Sequence, residues 1–178
     1  MPALTLHFAR VQTRRCRVWA GALAVALVST GAAGADAPAG FVLQPPVASA
    51  CISSPFGWRH AVGPHAPAGF HNGIDLPAPA GAEVRAAAAG TVEVIRRHGP
   101  GGLWILIRHP DGLSTLYAHL GSLRARFASG QRRVAAGEVL GRVGRSGITY
   151  GTHVFFAVFA DGHAIDPAPL LGVTRCSR

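Results

Sequence analysis

Phe70-His71-Asn72-Gly73-Ile74-Asp75-Leu76 is the first stretch of this 178-residue chain whose side chains could do chemistry. On a regular strand an imidazole and a carboxylate four residues apart face the same way but lie about 13 Å apart, too far to share one metal ion. Asn72-Gly73 removes that obstacle, because it is a turn dipeptide able to fold His71 back toward Asp75. Such a bend is either a zinc half-site, with a neutral imidazole and a carboxylate as ligands, or a hydrogen-bonded His-Asp pair inside a turn. Two more imidazoles stand in pointed contexts. Tyr117-Ala118-His119-Leu120 puts a histidine beside an aromatic ring, and the glycine-rich run from Gly144 to Gly151 delivers His153 onto an apolar segment.

The elements that must hold these residues read as short strands, since Gly and Pro punctuate the chain at intervals of about 8 to 15 residues. Val92 to Ile95 follows Gly90. Leu103 to His109 meets Pro110-Asp111-Gly112, a turn in which Pro presets one dihedral and Gly accepts positive φ, and the chain returns as Leu113 to Leu120, predicting a hairpin. Further strands are expected at Val139 to Val143, His153 to Ala160 and, after Asp161-Gly162, Ala164 to Ile165. Helix is limited to a short turn around Leu120 to Ala128, and Ala86 to Ala89 is left as strand or connector. The fold class is all-β, a small antiparallel sheet or sandwich core. Trp58 and Trp104 are expected in that core, and His98 and His109 are expected to be exposed or structural.

The two ends carry different messages. Residues 1–35 hold Arg10, Arg14, Arg15 and Arg17 with no acid, an apolar run from Val18 to Val28 and an Ala33-Gly34-Ala35 finish, the order of a secretory signal peptide; an uncleaved membrane anchor is the rival. Residues 36–50 are Ala- and Pro-rich and read as a linker or an arm laid on the domain, which spans 51–172 and leaves a tail, 173–178. The formal charge of +9 falls to +5 beyond residue 35, where thirteen Arg face eight acids and no Lys occurs. The Arg are scattered rather than interleaved with aromatics, which argues against nucleic acid and fits anionic wall polymers or lipid head groups better. Cys51 and Cys176 sit at the two ends of the domain. In an exported chain they are expected to form a disulfide, worth about 4 to 5 kcal/mol for a loop of this length, with two free buried thiols as the alternative.

Together with Ser54-Pro55-Phe56-Gly57-Trp58-Arg59, these motifs stand in the order and spacing of the peptidoglycan zinc peptidases typified by lysostaphin and LytM, a resemblance that runs from Ser53 to about Leu170. It implies Gly-rich loops around a groove, with His71 and Asp75 as zinc ligands. It also implies that His119 and His153 activate a metal-bound water and stabilise the oxyanion that forms, work for which an imidazole is well matched near neutral pH. The implied substrate is the peptide of the bacterial cell wall; the leader predicts an exported protein, periplasmic, cell-envelope or secreted, that meets the membrane only if the leader is uncleaved.

The sequence departs from that pattern at one strand. The family's third zinc ligand is the second histidine of a His-x-His motif followed by Phe-Glu, whereas this chain reads His153-Val154-Phe155-Phe156-Ala157. Phe155 offers zinc nothing, and a catalytic zinc keeps three protein ligands, so zinc is expected to bind weakly or not at all. His163 follows the Asp161-Gly162 turn, where Ala160 would be its cross-strand neighbour, and is a poor replacement; His60 or His65 remain open as substitutes. Two readings follow. The favoured one is a wall-binding or hydrolase-regulating module without activity, and the alternative is a zinc metalloendopeptidase with a rebuilt metal site.

Overall fold

The computed structural model describes residues 41–48, 50–61, 68–110 and 112–177. The expected leader, residues 36–40 and 49 of the expected linker, and His65 lie outside the described residues. Eleven strands and two one-turn helices follow in order: β1 (Gly57–Arg59), β2 (Gly69–His71), β3 (Ile74–Pro77), β4 (Glu83–Arg85), β5 (Gly90–Arg96), β6 (Leu103–Arg108), β7 (Leu113–Leu123), α1 (Ala125–Ala128), β8 (Arg133–Val134), β9 (Val139–Val143), β10 (His153–Ala160), β11 (His163–Ile165) and α2 (Ala168–Leu171). The all-β expectation holds. Nine strands form one antiparallel sheet along the path β11-β10-β7-β6-β5-β8, with β3 added to β10 and β9 joining β7 to β4; β1 and β2 make a separate ribbon.

The expected hairpin is β6–β7, with Ile107 opposite Thr115 and Arg108 opposite Ser114, and Gly112 in its turn takes φ 74°. β7 is the axis of the fold. Its first part, Leu113 to Ala118, pairs with β10, and its last part, from Leu120, pairs with β9. Between them His119 adopts φ 62°, a left-handed conformation that a histidine tolerates better than a branched residue. The changeover of partners therefore falls on a candidate site residue.

One face of the sheet is sealed by the alternate residues of β10, although the small Ala157 between them is buried as well. On β10, Val154, Phe156, Val158 and Ala160 are buried and pack with Ile74, Leu76, Ile105, Ile107, Leu113 and Tyr117. Each Val, Leu, Ile or Phe side chain among them contributes about 1.5 to 3 kcal/mol by leaving water. The intervening His153 and Phe155 point to the other face, where both are half-buried. Within the core, the Tyr117 hydroxyl accepts the Ala87 amide at 2.8 Å and meets the Thr115 hydroxyl at 2.9 Å, and burial pushes its pKa up to about 12.

Residues 41–48 are docked on the domain. Leu43 and Val47 are buried, and backbone hydrogen bonds join Leu43 to Leu170, Gln44 to Ala87 and Arg85 to Pro46. Near the other end, Ile52 bridges Arg175 in parallel, and Cys51 and Cys176 are placed as a disulfide pair with Cα atoms 4.8 Å apart. Among the described residues no helix is long and apolar enough to cross a membrane.

Three local expectations need correction. Trp58 is not in the core but 83% exposed: β1 and β2 form a ribbon apart from the main sheet, and Trp58 pairs with Phe70 on its outer side. The turn expected over Leu120 to Ala128 is strand as far as Leu123, because β9 offers pairing partners there, and only Ala125–Ala128 is helical. Finally, Ala168–Leu171 is a helical turn that no hydrophobic period announced; it starts after Pro167 and ends at Gly172 with φ 62°.

Candidate active site

Asn72-Gly73 makes the bend that the His71/Asp75 pairing requires, since β2 ends at His71 and β3 begins at Ile74. The bend packs tightly against β10. A Cβ on Gly73 would come within 2.5 Å of the Phe156 carbonyl and 2.7 Å of the Phe155 ring. His71 is 5% exposed. Its Nδ1 lies 2.9 Å from the Pro55 carbonyl, which only an N–H can satisfy. Nε2 is left facing Asp75 Oδ1 at 3.4 Å.

Asp75 is the hub of the site. His153 Nε2 reaches the same oxygen, Oδ1, at 3.4 Å, and the Arg59 guanidinium stands 3.8 Å from Oδ2 while also meeting the Ser54 hydroxyl at 3.3 Å. Burial by itself would raise the Asp75 pKa, but the His71 hydrogen bond and the nearby charges of His153, His71 and Arg59 outweigh it, so the carboxyl titrates below its ordinary range. His153 moves down as well. Burial is the main cause, helped by His119 and His71 and opposed by Asp75 and the Gly151 carbonyl. At neutral pH the site therefore holds a charged Asp75 and a neutral His153.

His119 completes the group. It is 8% exposed, its Nδ1 donates to the Ser146 carbonyl at 2.9 Å, and its ring centroid lies 4.9 Å from that of His153. The loop that carries Ser146 is held close by Gly147, where any Cβ would collide with the Pro100 carbonyl. All four sequence-predicted residues thus converge on one cleft of about 820 Å³.

Phe155 shares that cleft. Its ring centroid is 5.3 Å from His71 and 6.4 Å from His119, and its backbone is registered opposite Asp75. Other histidines do not make up the difference. His163 pairs with Ala160 and is exposed on β11. His60 is exposed and does not line the cleft. His98 is exposed, and His109 is buried within the sheet. Among the described residues, no group of three His, Cys, Asp or Glu side chains is arranged to hold a metal ion. The donor set present does not fit a catalytic zinc, which needs three protein ligands and an open position.

Two features of the site escaped the sequence reading. Arg59 is one: its position on a three-residue strand beside β2 is what brings it to Asp75. The cleft also has an apolar rim of Phe70, Ile148 and Tyr150, each about half exposed. The alternation of Gly57-Trp58-Arg59 and Gly69-Phe70-His71, aromatic between two others, was the available signal.

Residues 69–167 match peptidase family M23. The chain belongs to that family. Among relatives of this M23 chain is a DD-carboxypeptidase/endopeptidase, Mpg, of Neisseria meningitidis, 40% identical over 128 residues that make up 72% of this chain and 28% of the relative. Another is the peptidoglycan DD-endopeptidase ShyB of Vibrio cholerae, 32% identical over 54% of this chain and 22% of the relative. A solved zinc-containing peptidase from Vibrio cholerae superposes with a TM-score of 0.61 at 26% identity, over 70% of this chain and 39% of that one. The M23 chain thus spans under a third of the length of the curated relatives it is set beside.

Proposed function

We propose that this M23 domain acts at peptidoglycan in the cell envelope as a binding or hydrolase-regulating module that does not cleave peptide bonds itself. The observation that carries the reading is the register of β10 against β3, which sets Phe155 opposite Asp75 where a third metal ligand would be needed. The groove itself is intact. An exposed aromatic ribbon, an apolar rim and a polar floor of His71, Asp75, His119 and His153 suit an extended peptide that carries amide and carboxylate groups. Peptidoglycan as the target is supported by relatives such as the peptidoglycan DD-endopeptidase ShyB. Zinc is weakly held or absent on this reading, the protein is exported, and Cys51 and Cys176 are oxidised. Another cell-wall hydrolase is the partner whose activity it would tune.

One observation favours a second reading. His153 Nε2 approaches Asp75 Oδ1 as closely as His71 Nε2 does, so a small shift would let His153 serve as a ligand in a rebuilt site, leaving His119 as the proton carrier of a zinc metalloendopeptidase. Metal analysis of purified, oxidised protein, combined with digestion of isolated sacculi, separates the two. The non-catalytic reading expects well under one zinc per chain, binding to sacculi and no release of muropeptides. Stoichiometric zinc with muropeptide release would overturn it.

A further inference from the structure

Four arginines gather at one concavity away from the candidate site. A cleft of about 450 Å³ between the end of β5 and the α1 turn is rimmed by Arg96, Arg97, Arg124 and Arg132, with Glu93 as its one acidic lining residue and Val94, Ile95, Leu123 and Phe127 forming its apolar part. It shares no residue with the groove that holds His71 and Asp75. In the sheet, β5 is separated from β10, which carries His153 and Phe155, by β7 and β6.

These four arginines combine exposure and the lack of an ion pair with a shared concavity; Arg108, Arg133, Arg145 and Arg175 are also exposed and outside the ion pairs of the described residues but do not line this cleft. Arg59 is paired with Asp75, Arg85 with Glu83 and Arg126 with Glu138, and Arg126 also lies over the Phe127 ring. Arg96, Arg97, Arg124 and Arg132 are in no ion pair among the described residues, and all four are exposed. Like charges around one concavity repel, and guanidinium forks are matched to the oxygens of phosphate. A cleft with low-dielectric walls concentrates their field and raises the local concentration of anions.

We propose that this cleft is a binding site for a phosphate-bearing anion, distinct from the peptide groove and independent of whether that groove is catalytic. The absence of an exposed aromatic ring from its lining, where Phe127 is buried, removes the stacking platform that single-stranded nucleic acid would use. The apolar part beneath the arginines suits a phosphate carried on a partly apolar body, such as a lipid headgroup, as well as a free phosphate group.

The test follows the Arg side-chain NMR signals and a calorimetric titration of the whole domain with inorganic phosphate. In parallel, the domain is co-sedimented with vesicles of phosphatidylglycerol and of phosphatidylcholine. The variant R96Q/R97Q/R124Q/R132Q is compared with R108Q/R133Q/R145Q/R175Q, which removes the same formal charge from exposed positions elsewhere. The expected result is saturable binding that falls about tenfold or more in the cleft variant and much less in the control, and that weakens with salt. Binding of inorganic phosphate supports the site with a free phosphate group as ligand. Binding confined to phosphatidylglycerol vesicles supports it with a lipid headgroup. Equal losses in both variants, no saturable binding in either arm, or preference for a single-stranded oligonucleotide would overturn it. The arginines are exposed, so the cleft variant should melt with the wild type; if it does not, the pairs R96Q/R97Q and R124Q/R132Q are each expected to show a partial loss.

Discussion

Phe155 and Asp75 are register partners across the antiparallel pair β10–β3, so that a phenyl ring shares the cleft with the carboxylate on which His71, His153 and Arg59 converge. Replacing the ring with an imidazole at the same register position would add the missing nitrogen without moving the backbone. Phe155→His is therefore expected to raise zinc binding toward one ion per chain and to make the melting temperature rise with added zinc, as ligand linkage requires. Zinc titration by calorimetry checks this, and an affinity no better than wild type would show that His71 and Asp75 are no longer placed as a half-site.

Gly73 tests whether the bend itself is under steric control. Its added Cβ meets the Phe156 backbone carbonyl at 2.5 Å, and backbone yields far less readily than a side-chain tip. Gly73→Ala should cost about 1 to 3 kcal/mol of stability, read as a lower urea midpoint. It should also separate His71 from Asp75. An unchanged midpoint would mean that the β2–β3 bend is looser than its packing indicates.

His109 gives the pH dependence. It is buried, with Nδ1 2.8 Å from the Ala89 carbonyl and Nε2 2.7 Å from the Thr115 hydroxyl, and burial, opposed in part by the Ala89 carbonyl, holds its pKa below the ordinary 6.5. The native state then binds fewer protons than the unfolded chain. Stability is full above about pH 6.5, declines as pH falls below it and levels off beneath the folded pKa. Urea melts at pH 7.5 and 5.5 should show this decline. His109→Asn should be less stable overall but less sensitive to pH, and His153, whose pKa is also lowered, should supply the slope that remains. Equal slopes in the two proteins would remove His109 from the account.

Trp58 separates stability from binding. At 83% exposure, with Phe70 at 6.2 Å between ring centroids, it holds no core together, so Trp58→Ala should change stability by about 0.5 kcal/mol or less. If the ribbon touches the wall, loss of an aromatic anchor should weaken co-sedimentation with sacculi by about tenfold. Full retention would place the peptide on the Tyr150 side of the groove instead.

The sequence made some elements legible and hid others for physical reasons. The β6–β7 hairpin was readable because a proline and a glycine fix its turn and both arms are long enough to show apolar runs. The pairing of His71 with Asp75 was readable because Asn72-Gly73 can make only a few shapes. β1, β2 and β4 span three residues each, too few to display a period, and so Trp58 was given to a core it does not reach. The role of Arg59 is not legible in the sequence, because its contact with Asp75 depends on the β1–β2 ribbon.

The alternation along β10 separates shape from chemistry residue by residue. Val154, Phe156, Val158 and Ala160 hold the core, while His153 and Phe155 present their side chains to the groove. Inherited changes at the second set can silence or restore a reaction while the first set preserves the architecture. The groove side of this strand can therefore be rewritten one side chain at a time while the layer beneath keeps the domain folded.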